Sequence, residues 1–348
     1  MKHLIIVLLI FFFPISVKAY STSASSSILM DMDSGRIIHY NNINNVRSVA
    51  SISKIMTAIV AIENGDLKKE ITIGDEIKSA YGSGIYIKQG EKITLEDLLY
   101  GLMLRSGNDA ALAIAYNVGD DFVKMMNDTA KKIGMKNSTF NNPSGLDADK
   151  GNYSTAYDMA ILMSYAMKNE TFRKITGTKK YKLETNMNVY SWTNKNKLLR
   201  NYKYATGGKT GFTVKAKRTL VTTASKNNLN LVAVTLNDGI DFLDHQNLFD
   251  EAFSEFKNYI ILKKGIISIA GENYYKDCTF NIKKDISYPL LDSEKESISI
   301  KYQLEKKREY KNGDVVGKVI IYLADKEVLD EDIYIEKKAK KKGSWFFK

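Results

Sequence analysis

A single cysteine in 348 residues, Cys278, excludes an internal disulfide framework and any multi-cysteine metal site. It reads as a half-buried strand residue. Histidine is nearly as scarce, with three copies. His3 lies at the extreme N-terminus, His39 falls in a hairpin and is expected at the surface, and His245 enters a helix with no second histidine beside it. Neither a histidine-based triad nor a histidine metal site is expected. Three prolines and no low-complexity tract argue against long disordered linkers. The apolar run Leu4 to Phe13 has ten residues, too few to span a bilayer.

What the chain does hold is apolar residue and positive charge. A hydrophobic fraction of 44% over this length supports a large core and two domains. A net charge of +11 suits nucleic acid, an anionic membrane or an anionic polymer. The N-terminus chooses among them. Met1-Lys2-His3, the apolar run, Pro14 and the small-x-small triplet Val17-Lys18-Ala19 have the form of a secretory signal peptide over 1–19, with an uncleaved anchor as the alternative. Export to the outer face of the cytoplasmic membrane or the cell wall argues against nucleic acid. At the other end, 337–348 carries five lysines followed by Trp345, Phe346 and Phe347. That pattern suits peripheral attachment to an anionic membrane surface, a solvated terminus being the alternative.

Between these ends the pattern is first mixed and then all-β. Ile28 to Met32 and Arg36 to Tyr40 flank Asp33-Ser34-Gly35 as a hairpin. Helical spacing runs from Ile52 to Ile62, from Thr94 to Met103, from Ala110 to Val118, from Phe122 to Ile133, from Thr155 to Met167 and from Leu243 to Phe256. From Gly177 the texture turns to strand, and after Lys263 helical periodicity is absent. The expected division is a catalytic domain over 20–257, a small β-sandwich-like domain over 258–336, and the tail.

Three polar motifs stand in this frame. Ser51-x-x-Lys54 opens a helix, so hydroxyl and amine share one face within hydrogen-bond reach. A serine needs a neighbour to take its proton, and a lysine depressed by burial can serve. Ser106-Gly107-Asn108 lies at a corner between two apolar helices, and Lys209-Thr210-Gly211 lies on a strand. The motifs begin 55 and 103 residues apart. Each is weak alone; in this order and setting, coincidence is improbable.

This set resembles the low-molecular-weight penicillin-binding proteins that act as D-alanyl-D-alanine carboxypeptidases. Similar stretches include Gly90-Glu91-Lys92-Ile93-Thr94, Asn142-Pro143-Ser144-Gly145-Leu146 and Ser154-Thr155-Ala156-Tyr157-Asp158-Met159, and, more faintly, Gly313-Asp314-Val315-Val316-Gly317. The resemblance implies an α+β fold of the penicillin-binding-protein and β-lactamase type. Its antiparallel sheet has helices on both faces and an all-helical part, and a small all-β domain follows. It implies peptidoglycan stem peptides as substrate, β-lactams as ligands, and no cofactor or metal. Ser51 is then the nucleophile and Lys54 its proton acceptor. The N–H groups of Ser51 and Phe212 hold the oxyanion, Ser106 and Lys209 pass a proton to the departing amine, and Asn108 fixes Lys54 and the substrate. Lys209, Thr210 and Gly211 line the place of the terminal carboxylate.

Two positions depart from the family pattern. Asp241 falls where relatives carry an arginine for that carboxylate and is expected to repel it, with Lys215, Lys217 or Arg218 available to compensate. Ser144 stands where many relatives have histidine. Two rival readings remain. A class A-like β-lactamase needs a glutamate followed four residues on by asparagine. Glu184 and Asn188 have that form but lie too near Lys209, so Glu184 reads as a solvated hairpin residue. A catalytically silent wall-binding homologue is opposed by the three intact motifs and kept open by Asp241.

Overall fold

The structure, a computed structural model, describes residues 21–147 and 150–337. The expected signal segment and all of the basic-aromatic tail after Lys337 lie outside the described residues.

The chain opens with the hairpin β1 (Ser26–Asp31) and β2 (Ile37–Asn41), turned at Gly35. A short strand β3 (Arg47–Ser48) leads to a single 3-10 turn, Ala50–Ser53, and then to α1 (Lys54–Asn64). Strands β4 (Glu70–Thr72) and β5 (Lys92–Thr94) pair before α2 (Leu95–Tyr100). Thr94 caps α2 by accepting the Asp97 N–H, as its capping-box sequence predicts. The expected continuation of this helix to Met103 is replaced by one π turn, Gly101–Arg105, ending at Ser106 in the left-handed region. A π turn re-aims the chain at a corner, often at a functional site. Helices α3 (Asn108–Val118) and α4 (Phe122–Lys132), strand β6 (Tyr153–Ser154) and α5 (Ala156–Ala166) follow.

The longest helix to escape the sequence reading is α6 (Glu170–Gly177), eight residues just before the expected change to strand. Asn169 caps it by accepting the Phe172 N–H, and Phe172 and Ile175 carry its buried face. The hairpin β7 (Lys180–Glu184) and β8 (Val189–Thr193), the single turn α7 (Leu198–Asn201), and strands β9 (Ala205–Thr213), β10 (Lys217–Lys226) and β11 (Leu229–Leu236) lead to α8 (Asp241–Glu255).

The central sheet is antiparallel in the order β2-β1-β11-β10-β9. Its middle strands are buried on both faces because both faces are covered. Leu229, Leu231 and Ala233 meet Leu248, Phe249 and Ala252 of α8. Val232, Val234 and Leu236 join the core built with α1, α3 and α5. Helix α1 is buried from Lys54 to Ala61, so an amphipathic reading understates how deeply it runs through the helical part. His245 lies buried between the sheet and α8, bonded to Thr222 and Thr235. His39 is half-buried and bonded to Ser27, not at the surface as expected.

The remainder is strand apart from a 3-10 helix at Asp292–Ser297: β12 (Phe256–Leu262), β13 (Gly265–Ile267), β14 (Cys278–Ile282), β15 (Ile286–Leu291), β16 (Ile298–Leu304), β17 (Val315–Leu323) and β18 (Lys326–Lys337). Five of them form a sheet in the order β13-β14-β18-β17-β16, while β12 pairs with β15. They enclose a core of their own around Phe280, Val319, Ile321 and Ile333. Arg36 fastens this part to the first: its guanidinium donates to the Pro289 carbonyl at 2.6 Å and to Glu294 at 2.7 Å. It also lies against the rings of Phe256 and Tyr288.

Candidate active site

The left-handed backbone of Ala50, φ 49°, sends the chain into the 3-10 turn that presents Ser51. Ser53 steadies the turn by donating to the Ala50 carbonyl at 2.9 Å. Gly145 is required here. With φ 79°, a Cβ on it would stand 2.2 Å from the Ala50 carbonyl oxygen, so only glycine lets the 142–145 turn close onto the Ser51 turn.

Lys54 begins α1 fully buried, and its amine meets three oxygens. It bonds Ser51 Oγ at 3.1 Å, Asn108 Oδ1 at 2.7 Å, and the Ser144 carbonyl. No carboxylate is among its partners. Burial first, and then the positive charge of Lys195, bring its pKa from the ordinary lysine value down to about 7, while Asp109 pulls the other way. At neutral pH a large share of these amines is therefore unprotonated, with a lone pair facing a serine hydroxyl. Ser144 thus enters through its backbone carbonyl, which no side-chain motif could reveal, while its hydroxyl bonds Asn142.

The Ser106-Gly107-Asn108 corner follows the π turn. Asn108 gives its oxygen to Lys54, donates from Nδ2 to the Tyr81 carbonyl at 2.6 Å, and donates its N–H to the Ser83 carbonyl at 2.7 Å. Asp109, which the sequence reading passed over, accepts from the N–H groups of Ile85 at 3.0 Å and Tyr86 at 2.6 Å. These two neighbours hold the segment around Ser83 against the corner.

Strand β9 closes the other side. Gly211 lies so near the Ser51 turn that a Cβ would meet Thr219 Oγ1 at 2.4 Å and the backbone nitrogens of Ser51 and Ile52 at 3.0 Å. The next residue, Phe212, lines the same cleft as Ser51. Phe212 turns its ring to solvent. Lys209 is buried with its amine donating to the Thr210 carbonyl at 2.7 Å. Burial, then Lys54 and Lys195, push it well below the ordinary lysine value.

Ser51, Ser106, Thr210, Gly211 and Phe212 line one cleft of about 340 Å³, together with Ser83, Lys195, Lys197, Arg218, Asp241 and Phe242. The expected repulsion by Asp241 is corrected by its partner: Arg218 donates to Asp241 Oδ1 at 2.5 Å. Burial raises the Asp241 carboxyl above its ordinary value, and Arg218 acts against that rise. Lys215 is engaged with the Tyr153 hydroxyl instead. Glu184 ends β7, exposed, and is not among the cleft residues. Lys195 is a cleft residue that the sequence did not signal, whereas Ser83 belongs to the turn-rich stretch 80–84, whose small residues suit a substrate's approach. Among the described residues no group of three or more acidic, histidine or cysteine side chains is arranged to hold a metal ion.

A serine bonded to a buried lysine, set where a helical part meets the edge of an antiparallel sheet, defines a serine-type hydrolase of the penicillin-binding-protein kind. Residues 14–239 match the D-alanyl-D-alanine carboxypeptidase family, and residues 256–341 match the C-terminal domain of penicillin-binding protein 5. The chain belongs to the D-alanyl-D-alanine carboxypeptidase family. It is 34% identical over 256 residues to the D-alanyl-D-alanine carboxypeptidase DacF of Bacillus subtilis, a match covering 69% of this chain and 65% of that protein. A crystal structure of penicillin-binding protein 5 from Haemophilus influenzae superposes with a TM-score of 0.76 at 25% identity, over 91% of this chain and 98% of that one. The D-alanyl-D-alanine carboxypeptidase of Mycobacterium tuberculosis gives 0.66 at 30% identity, over 69% and 95%.

Proposed function

We propose that the protein is an exported D-alanyl-D-alanine carboxypeptidase that removes the terminal D-alanine from peptidoglycan stem pentapeptides through an acyl-enzyme on Ser51. In this reading residues 20–257 are the catalytic domain and 258–336 a separate β domain. The observation that carries it is the amine of Lys54, buried without a counter-ion and bonded to both Ser51 Oγ and Asn108 Oδ1. In the unprotonated form this amine accepts the hydroxyl proton as Ser51 Oγ bonds to the carbonyl carbon between the two D-alanines. The N–H groups of Ser51 and Phe212 face the oxygen as it gains charge. The C–N bond then breaks, and the leaving amine takes the proton that Lys54 accepted, passed on through Ser106 and the depressed amine of Lys209, so that Lys54 is unprotonated again. Thr210 and Arg218 receive the terminal carboxylate. Water repeats the attack on the ester, Lys54 again taking the proton, and Ser51 recovers its hydrogen as the shortened peptide leaves.

A β-lactam presents its strained carbonyl to the same serine. With no glutamate placed among the cleft residues to activate water, its ester is expected to persist, so the drug inhibits.

Intact-mass measurement after benzylpenicillin tests the reading together with D-alanine release from an acyl-D-Ala-D-Ala peptide. The expected results are one added drug mass, lost in Ser51→Ala, and release of one D-alanine per peptide. Acylation without release of D-alanine overturns the carboxypeptidase assignment. Rapid turnover of a chromogenic β-lactam moves the chain to the β-lactamases. No adduct at all leaves the silent homologue.

A further inference from the structure

In the carboxypeptidase reading an oxygen enters between two backbone N–H groups, one on Ser51 and one on Phe212. Those donors must stay free for it, so the space between them cannot be tied across its own width. Among the described residues no hydrogen bond runs directly from β9 to the Ala50–Ser53 turn. The spacing has to be held from beside the gap.

Two side-chain ties do so. From β10, Thr219 Oγ1 donates to the Val49 carbonyl at 3.1 Å. The second tie is the half-buried Asp147, which no motif signals and which does not line the cleft. Ser48 Oγ donates to its Oδ1 at 2.5 Å, and Thr213 Oγ1 donates to its Oδ2. Ser48 lies three residues before Ser51, and Thr213 directly follows Phe212. One carboxylate thus joins the two segments that must face each other.

The bridge is anchored at both ends. Ser48 is buried and pairs with Tyr153 across β3 and β6. Thr213 Oγ1 also accepts the Ala216 N–H at 3.0 Å, which fixes the turn from β9 to β10. Gly151 comes so close that a Cβ there would stand 2.7 Å from Asp147 Oδ1. A carboxylate accepts stronger hydrogen bonds than a neutral carbonyl does, so this bridge is stiffer than the Thr219 tie.

Building on the carboxypeptidase reading, we propose that Asp147 is a positioning residue: through Ser48 and Thr213 it sets the spacing of the Ser51 and Phe212 N–H groups without touching the substrate. The substrate oxygen gains charge only as Ser51 Oγ bonds to carbon, so a loosened pair of donors is felt in the transition state and little in binding. Formation and hydrolysis of the ester both use these donors. The loss therefore falls on kcat, with KM nearly constant.

The test uses the full-length protein and steady-state D-alanine release from an acyl-D-Ala-D-Ala peptide. Thr213→Val keeps the shape of the side chain and removes its hydroxyl. It and Asp147→Ala should each lower kcat by about tenfold, with KM changed by less than about twofold. The double variant should be no slower than either single one, because both open the same bridge. Thr213→Ser keeps the hydroxyl and should stay within about twofold of the unmodified protein. Losses that multiply in the double variant overturn the bridge. So does a loss carried by KM, a Thr213→Ser as slow as Thr213→Val, or a Thr213→Val with unaltered kcat. Should Asp147→Ala fail to fold, the valine and serine variants at 213 still decide. An unmodified protein that releases no D-alanine overturns the carboxypeptidase reading itself.

Discussion

Arg218 and Asp241 meet at 2.5 Å at the mouth of the cleft, the carboxylate nearly buried and the guanidinium about half exposed. A position that reads as repulsive in sequence is neutralised by a residue 23 positions earlier on β10. Asp241 also accepts the Phe242 N–H, so its charge is held at the start of α8 and keeps Arg218 in place. Removing the guanidinium leaves that carboxylate facing the substrate's own. Arg218→Gln should raise KM for the peptide by roughly tenfold with a smaller change in kcat. Arg218→Gln with Asp241→Asn should recover part of the loss. Steady-state D-alanine release measures both.

The proposed mechanism makes the amine of Lys54, with a pKa of about 7, the group that sets the pH response of acylation. In the proposed mechanism the unprotonated amine is the base, so the second-order rate of penicillin adduct formation should climb about tenfold per pH unit below pH 7 and level off above it. An ordinary lysine would still be climbing at pH 9. Lys54→Gln keeps a hydrogen-bonding side chain but no base, and should slow acylation by roughly 100- to 10,000-fold. Stopped-flow or quenched mass measurements between pH 5 and 9 check the profile.

Gly211→Ala places a methyl against Thr219 Oγ1 and the backbone nitrogens of Ser51 and Ile52. Strand β9 must then draw back from the Ser51 turn, carrying the Phe212 N–H away from the oxygen it is proposed to serve. The expected loss in kcat is about 100-fold, of the order seen when one oxyanion donor is removed. The melting temperature should fall by only a few degrees, since β9 is an edge strand. Calorimetry and peptide turnover on the same preparation separate the two effects.

His245 gives a stability prediction with a definite sign. Burial lowers its pKa to about 3, so the native protein keeps it neutral where the unfolded chain, titrating near 6.5, binds a proton. The unfolded state takes up more protons between pH 6.5 and 3, so stability falls as pH drops through that window. The contribution of this residue is about 1.4 kcal/mol per pH unit at most. His245→Gln should be less stable at pH 7, because Thr222 and Thr235 lose a well-fitted partner, yet its stability should fall less steeply with acid. Urea titrations at pH 7, 6 and 5 measure the slope.

Much of this protein was legible in the order of its residues. The Ser51-x-x-Lys54 spacing put hydroxyl and amine on one face because a helical turn brings residues three apart together. Thr94 and Thr155 announced the starts of α2 and α5 by chemistry confined to four residues. The all-β pattern after Lys263 followed from strand periodicity, also a local property. Helix α6 was missed because only two of its eight residues, Phe172 and Ile175, mark an apolar face before the strand pattern begins.

What only tertiary structure decided are the relations between residues far apart in the chain. The oxygen of Asn108 and the carbonyl of Ser144 reach Lys54 from 54 and 90 residues away and fix its amine beside Ser51, while burial and the charge of Lys195 make an ordinary lysine a candidate base. The pairing of Arg218 with Asp241, the bridge from Asp147 to Ser48 and Thr213, and the Gly211 approach to Ser51 likewise exist only once the helical part packs against the sheet edge. Side-chain identity is written in the sequence. Burial and the company a charged group keeps are set by packing, and these determine whether that group is a base, a partner or a bridge.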